Sequence, residues 1–402
     1  MAAAIDFLSN EYRTDPYPIL ARLRREEPVH QDEYGVWILT RHADIVAIDH
    51  DSRMGRDYRH WHTYPVLRPF LAGSALEQLF ESWLLSRDPP DHTRLRKLAA
   101  HAFTPSAVGA MRDIAESTAD ALLTSLRDTE CVEFISAFAG PYPVHMITRI
   151  MGLPDGDYAL LRRWSEGLVP VLEPRRSTGE MRSANAIVEE MQQYLREHIA
   201  ARHRQPTADL IGHLVAAHDE GERLNEQELI AMLVLLVFAG QVTTANLIGN
   251  AMLTMLRHPD EMARVRSEPA LMRTAIEEFL RFESPTAMSA RVAVEDIDVD
   301  GRCIRRGDLV LSLLGAANRD PAVFTEPDRL DVGRYPNPHV AFGGGVHYCL
   351  GAPLARLEAK VVFERLLARW DRMELDESGV EWLDSVSLRG LRSLPLRIRA
   401  AD

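Results

Sequence analysis

One stretch constrains this chain more than any other: from 225 to 259 the sequence reads as a single helix whose first half is apolar on every face. The Asn225 side chain can cap the free amide groups while Glu228, three residues on, completes a capping-box pair, with Leu224 and Leu229 placed as a hydrophobic staple. Pro259 stops it. About 32 residues at ~1.5 Å each span roughly 48 Å, and a helix apolar all round has to be enclosed. Its uninterrupted apolar run, 229–239, is shorter than the ~20 residues of a membrane-spanning helix, so the expectation is a helix crossing the middle of a globular protein.

Helical spacing of apolar residues recurs over 15–27, 91–103, 106–126, 144–152, 184–203 and 271–282. Strand signals are few: 36–39, then 292–314, where alternation is broken by Asp300-Gly301 and Arg306-Gly307 turns. The fold class is mainly α with small β-sheets. No repeat, low-complexity tract or linker divides the chain, so 1–402 reads as a single domain. Two segments, 53–90 and 169–178 with Pro170, Pro174, Arg175 and Arg176, read as mobile loops of the kind that gate a pocket.

The net charge of −13, from 59 acids against 46 bases, repels phosphate backbones and anionic lipid, which argues against nucleic acid or a membrane surface as partner. Residues 1–10 lack the basic and apolar regions of a signal peptide, and the three cysteines, odd in number and far apart, suit a reducing compartment. The expected location is cytoplasmic. Cys131 and Cys303 read as buried, inert thiols.

Cys349 differs because of its neighbours, Phe342-Gly343-Gly344-Gly345-Val346-His347-Tyr348-Cys349-Leu350-Gly351-Ala352-Pro353, ahead of an amphipathic helix from Leu354. Glycines let the backbone approach a flat cofactor and turn amide N–H groups toward sulfur. The positive end of the following helix, with Pro353 suited to its first turn, stabilises a thiolate. Phe342 is placed to shield the sulfur from water. Zinc would need companions at Cys-x-x-Cys or similar spacing, and a hydrolase nucleophile would need an orienting base; the sequence singles out neither.

This loop resembles the haem-binding signature of the cytochrome P-450 family, F-G-x-G-x-H-x-C-x-G, matched at Phe342, Gly343, Gly345, His347, Cys349 and Gly351. The resemblance implies the single-domain cytochrome P-450 fold of the soluble bacterial class, with haem b whose iron takes the Cys349 thiolate as axial ligand. Glu278 and Arg281 match the family's E-x-x-R motif, and Arg334 in Asp331-Val332-Gly333-Arg334 stands at the third position of that structural triad. Taken alone, Glu278 and Arg281 read as an ordinary i,i+3 surface pair. His92 and Arg96, four apart on one helix face, resemble the pair that holds haem propionates, and Arg291 and His339 correspond to two further propionate contacts.

Within the long helix, Ala239-Gly240-Gln241-Val242-Thr243-Thr244 resembles A-G-x-[D/E]-T-[T/S], where small residues admit oxygen and substrate. Ala239, Gly240, Gln241 and Thr243 are thereby the candidate catalytic residues, with Thr243 at the oxygen-side threonine position. Val242 departs from the pattern: it occupies the acidic position and carries no proton, whereas oxygen activation consumes two protons delivered locally. Gln241, Thr243, ordered water or the substrate are the candidate replacements. Three reactions stay open. The first is hydroxylation or epoxidation of a small organic molecule, expected to be a bacterial secondary metabolite. The second is oxidative radical coupling of an aromatic substrate, forming a C–C or C–N bond without oxygen insertion. The third is peroxide-driven haem chemistry, and beside all three stands a non-enzymatic haem sensor.

By the same resemblance the substrate pocket takes Leu235 and Phe238 from the long helix, Trp83 from the first loop, Ala287 and Met288 before Arg291, and Leu388 from a late turn. No flavin or nicotinamide fingerprint is present, so electrons are expected from a separate ferredoxin or flavodoxin. Basic residues around the Cys349 loop would draw it, with Lys97 and Arg356 as candidates. The substrate arrives free or tethered to a carrier protein. His60-Trp61-His62 reads as loop surface facing the substrate entrance.

Overall fold

The capping box forms as the sequence predicts: the Asn225 side chain accepts the Glu228 amide at 2.8 Å, and the Glu228 carboxylate accepts the Asn225 amide at 3.0 Å. The computed structural model describes residues 6–127, 129–174, 177–219 and 224–400. The capped helix runs over Glu226–Arg257, 32 residues, and gives way to Pro259–Ser267. Residues 229–238 and 246–255 are all buried. Taken whole, the helix is long and apolar enough to cross a membrane, unlike its uninterrupted run, but 61% of its most apolar window is buried inside the protein. Helices Pro141–Met151, Tyr158–Leu168, Thr178–Arg204, Met272–Phe282 and Ala352–Arg369 enclose it.

The largest sheet has five strands in the order Val29–Gln31, Trp37–Leu39, Leu309–Leu313, Met288–Ala293, Met54–Gly55. Only the pairing of Trp37–Leu39 with Leu309–Leu313 is parallel. The expected turns at Asp300-Gly301 and Gly307 are present with positive φ. The fold is mainly α with small sheets, as expected, but details differ. The 106–126 helix is interrupted at Met111 into Pro105–Ala110 and Arg112–Ser125, next to the weak helix former Gly109. The 53–90 segment holds a strand, Met54–Gly55, and helices Tyr64–Leu71 and Ala75–Ser82, too short to leave a periodic signal. In 169–178, Glu173 is pinned by the Ser385 hydroxyl and the Val386 amide; Arg175 and Arg176 lie outside the described residues. Cys131 and Cys303, expected to be buried, are exposed in short strands where the side-chain alternation turns them outward.

Glu278 and Arg281 are fully buried, not a surface pair. Both Glu278 oxygens take Arg281, at 2.7 and 2.8 Å, and Arg334 closes on the same carboxylate at 3.1 Å. The remaining Arg281 donors reach the carbonyls of Asn318, Pro327 and Arg329. This network joins the Met272–Phe282 helix to the segment that leads into the Cys349 loop.

The helix after that loop, Ala352–Arg369, buries Glu358, whose Oε2 has no hydrogen-bond partner, and burial pushes its carboxyl up to about 8. Between the ordinary carboxylate range and about pH 8 the folded chain holds a proton that the unfolded chain has released, so this group costs stability as pH rises through that window. Glu358→Gln is expected to be more stable than the parent at about pH 9, by about 2 kcal/mol or more, with the difference shrinking toward pH 5 in urea unfolding.

Candidate functional site

The Cys349 loop is built on two left-handed glycines, Gly343 (φ +66°) and Gly345 (φ +61°). It is closed by hydrogen bonds from the Cys349 amide to the Phe342 carbonyl, 3.0 Å, and from the Gly343 amide to the Val340 carbonyl, 2.8 Å. Gly345 lies against the end of the His42–His50 helix, where a Cβ would stand 1.9 Å from the Asp49 carbonyl oxygen. The chain then enters Ala352–Arg369 with Pro353 in its first turn. Burial pushes the Cys349 thiol up, opposed by the Gly351 and Ala352 amides and by Arg96 and Arg356. Those same donors would hold a thiolate once a metal cation had displaced the proton.

Beside the loop is a buried cluster of basic groups. His92 and His347 lie with ring centroids 4.1 Å apart, and His347 faces Asp88 at 3.4 Å. Arg291 donates to Asp49 Oδ1 from Nη2 at 2.8 Å and from Nε at 3.2 Å, and both side chains are 1% exposed. Burial, reinforced by Arg96, holds His92 down to about 4, and burial holds His347 down to about 3, so both imidazoles are neutral at physiological pH. Burial would raise Asp88, but hydrogen bonds from His347 and from the Arg56 and Asp57 amides bring it to about 2. His92 Nδ1 is buried without a partner.

Of the four expected propionate contacts, His92, Arg96 and Arg291 are neighbours in this cluster. His339 is not among them. It faces Glu277 at 3.0 Å, which also binds Arg356 at 2.7 Å, because the 339–342 turn directs its ring toward the Met272–Phe282 helix. His347, which the motif contains but the site assignment passed over, takes its place beside His92 and Arg291. Arg356 is committed to Glu277, to the Tyr348 hydroxyl and to the Phe342 ring at 4.5 Å, so it is no free docking cation; Lys97 is exposed. His62 donates from Nδ1 and from its main-chain amide to the Gly307 carbonyl, at 2.8 and 2.9 Å, and no group of three metal-ligating side chains occurs among the described residues.

In the central helix, Ala239 is exposed and Gly240, Val242 and Thr243 are half-buried, between fully buried stretches, so this face is left uncovered by the protein's own side chains. The Thr243 hydroxyl donates to the Ala239 carbonyl at 2.7 Å. Gln241 is two positions from each, about 200° round the helix, and is buried with both amide atoms unpartnered; the fold does not bring it to the face of Ala239 and Thr243. Trp83 and Phe238 pack at 5.9 Å, and Leu235 is buried on the same helix. Ala287 is tied to the turn of Leu388 through a hydrogen bond to Ser387 at 2.9 Å, with Met288 following.

The loop makes a contrast that a substitution can read. Gly345→Ala has neither the backbone angle nor the space it needs, and is expected to cost about 1–2 kcal/mol or more in urea unfolding and to lower haem content. Gly351→Ala, with φ −81° and no protein atom within 4 Å of the new methyl, is expected to leave the unfolding stability within error of the parent.

A family model described as Cytochrome P-450 matches residues 169–385. The chain is 37% identical over 398 residues to the polyketide biosynthesis cytochrome P-450 PksS of Bacillus subtilis (strain 168), covering 96% of this chain and 97% of the relative. It is 37% identical over 406 residues to the cytochrome P-450 monooxygenase PikC of Streptomyces venezuelae, covering 98% and 93%. Among solved structures, P-450BioI in complex with a hexadec-9Z-enoic acid ligated acyl carrier protein matches with a TM-score of 0.91 at 36% identity, covering 97% of this chain and 100% of that one. CxnD, an enzyme for C–S bond formation in chuangxinmycin biosynthesis, matches with a TM-score of 0.86 at 33% identity over 96% of both chains. With these relatives along almost its whole length, the chain belongs to the cytochrome P-450 family of monooxygenase-type oxidoreductases, which carry haem b on a cysteine thiolate, here that of Cys349.

Proposed function

We propose that this enzyme hydroxylates or epoxidises a bacterial secondary metabolite, acting as one domain over its whole length. The observation that carries the reading is a half-buried thiol with amide donors and a basic cluster on one side, and a strip of small residues left uncovered between buried stretches of the central helix, ending at Thr243, on the other. The residues fit haem: Cys349 supplies the thiolate, Phe342, Gly343 and Gly351 shape its loop, and the orphaned His92 Nδ1 with Arg96, Arg291 and His347 suits carboxylates. Bound haem supplies oxygen activation by two electrons, and electrons come from a ferredoxin or flavodoxin. The setting is cytoplasmic, with no nucleic acid or membrane partner, and the substrate is free or carrier-tethered, as the carrier complex of one relative suggests.

Thr243 gives its own proton to the Ala239 carbonyl and so keeps its lone pairs for a water or a substrate hydroxyl. Val242 offers no acid, and Gln241 is turned away, so protons reach the site through water held at Thr243 or from the substrate. An aromatic O–H or N–H held at Thr243 would bring its own proton to the site, which keeps oxidative coupling as a second reading although oxygen activation consumes the same two protons. The Trp83 indole N–H is buried without a partner beside Phe238, which makes it a donor for an oxygen of the substrate.

Titrating the ferric protein with polyketide, terpenoid, aromatic and acyl-carrier candidates should give a spin-state shift with one class; no turnover of any shifting ligand with any electron donor would overturn the enzymatic reading. Trp83→Phe keeps an aromatic ring, though a smaller one, and removes the donor, and is expected to weaken that ligand about 5–10-fold in the same titration. Thr243→Ala should keep taking up oxygen but lose on the order of tenfold in product per oxygen consumed, less than a full general acid contributes, because water partly replaces the hydroxyl. Unchanged product yield would remove Thr243 from the relay.

A further inference from the structure

Beyond His92, Arg96, Arg291 and His347, the structure brings a fifth basic side chain, Arg56, to the same place. It follows the short strand Met54–Gly55, which pairs antiparallel with Met288–Ala293 in the register Met54 to Ala293 and Gly55 to Val292. One further step along that register sets Arg56 opposite Arg291. Two like charges facing each other across a strand pair repel, and no local feature of the strand requires an arginine there.

The hydrogen bonds deepen the problem. Among the described residues the only side-chain partner of the Arg56 guanidinium is the Ser289 hydroxyl, at 2.7 Å from Nη2, and its Nε is buried with no partner at all. Neither of the two nearby carboxylates bonds the Arg56 guanidinium, although Asp49 Oδ2 is buried without a partner. Asp49 Oδ1 takes both Nε and Nη2 of Arg291. Asp88 takes His347 and the main-chain amides of Arg56 and Asp57. Burial, followed by the charge of Arg291, weakens the hold of Arg56 on its own proton to about 10. A half-buried guanidinium with an unpartnered Nε, facing a second arginine, gains from an added anion even with Asp49 and Asp88 nearby.

We propose that Arg56 is a further binding residue for the haem carboxylates, so that Arg56 and Arg291 clamp one propionate from the sheet side while His92 and Arg96 take the other from the Asp91–Ala100 helix. The division matches two carboxylates to two pairs of donors, and Asp49 keeps the Arg291 fork turned so that its Nη1 remains for the ligand. This inference rests on the haem assignment above.

The test uses the holoprotein. Arg56→Gln is expected to release haem to excess apomyoglobin on the order of tenfold faster or more, and to lower the ferric/ferrous midpoint potential, because a lost positive charge beside the cofactor favours the ferric state. Arg56→Lys keeps the charge without the fork and should hold the potential near the parent value while losing haem at an intermediate rate. Ser289→Ala removes the protein partner of Arg56 but not its charge, and should leave the potential unchanged. If Arg56→Gln and Arg56→Ala both match the parent in haem release and potential, or if Ser289→Ala reproduces the Arg56→Gln changes in both, the proposal is overturned. Parent protein without a thiolate-ligated haem spectrum would instead overturn the haem assignment itself, a distinct outcome.

Discussion

The carboxylate of Glu278 is the point on which the rest of this structure turns. It is fully buried and takes two arginines, the Asn337 side chain and the Asp331 amide. A buried carboxylate is costly unless its lone pairs are filled, and here every donor but Arg281, which lies one turn along the same helix, comes from the winding segment of chain between Leu309–Leu313 and the Cys349 loop. That segment has almost no regular secondary structure to fix it. The charge network does the work that helix or sheet hydrogen bonds do elsewhere, and it delivers the loop at a defined height against the Met272–Phe282 helix.

Above that base the site is divided by chemistry. One side is a glycine-built loop that gives amide donors to a sulfur, and the other is a helix made of small residues where it faces inward. At the edge, arginines and neutral histidines collect where two carboxylates of a haem would need partners, while Asp49 and Asp88 keep those groups oriented. The residues proposed to face the organic substrate lie on different elements, the Trp83 turn, the strand start at Ala287 and the turn of Leu388, the last two tied together by the Ala287 amide and the Ser387 carbonyl.

Much of this was legible in the sequence because its signals are local. The Asn225 capping box, the glycine pattern around Cys349 and the i,i+3 spacing of Glu278 and Arg281 each lie within one short window, where backbone geometry depends on nearest neighbours. His339 and His347 show the limit. Both are histidines close to Cys349, and only the path of the 339–342 turn sends one to Glu277 and the other to His92. Gln241 shows it again: adjacent to Val242 and Thr243 in sequence, it is carried by helical rotation to the buried side. Arg56 left no signal, since nothing near it in sequence marks it as a ligand.

The sequence alone determined the mainly helical class, the length and burial of the central helix, the thiolate loop and the departure at Val242. Tertiary structure decided that the Glu278 pair is buried, which histidine joins the basic edge, that Arg356 is occupied, and that Arg56 stands opposite Arg291. The reason is range. Propensity, capping and glycine conformations are set within a few residues, whereas burial and charge pairing depend on residues 242 positions apart in Asp49 and Arg291 and 259 apart in Asp88 and His347, and only the packed chain brings them within reach.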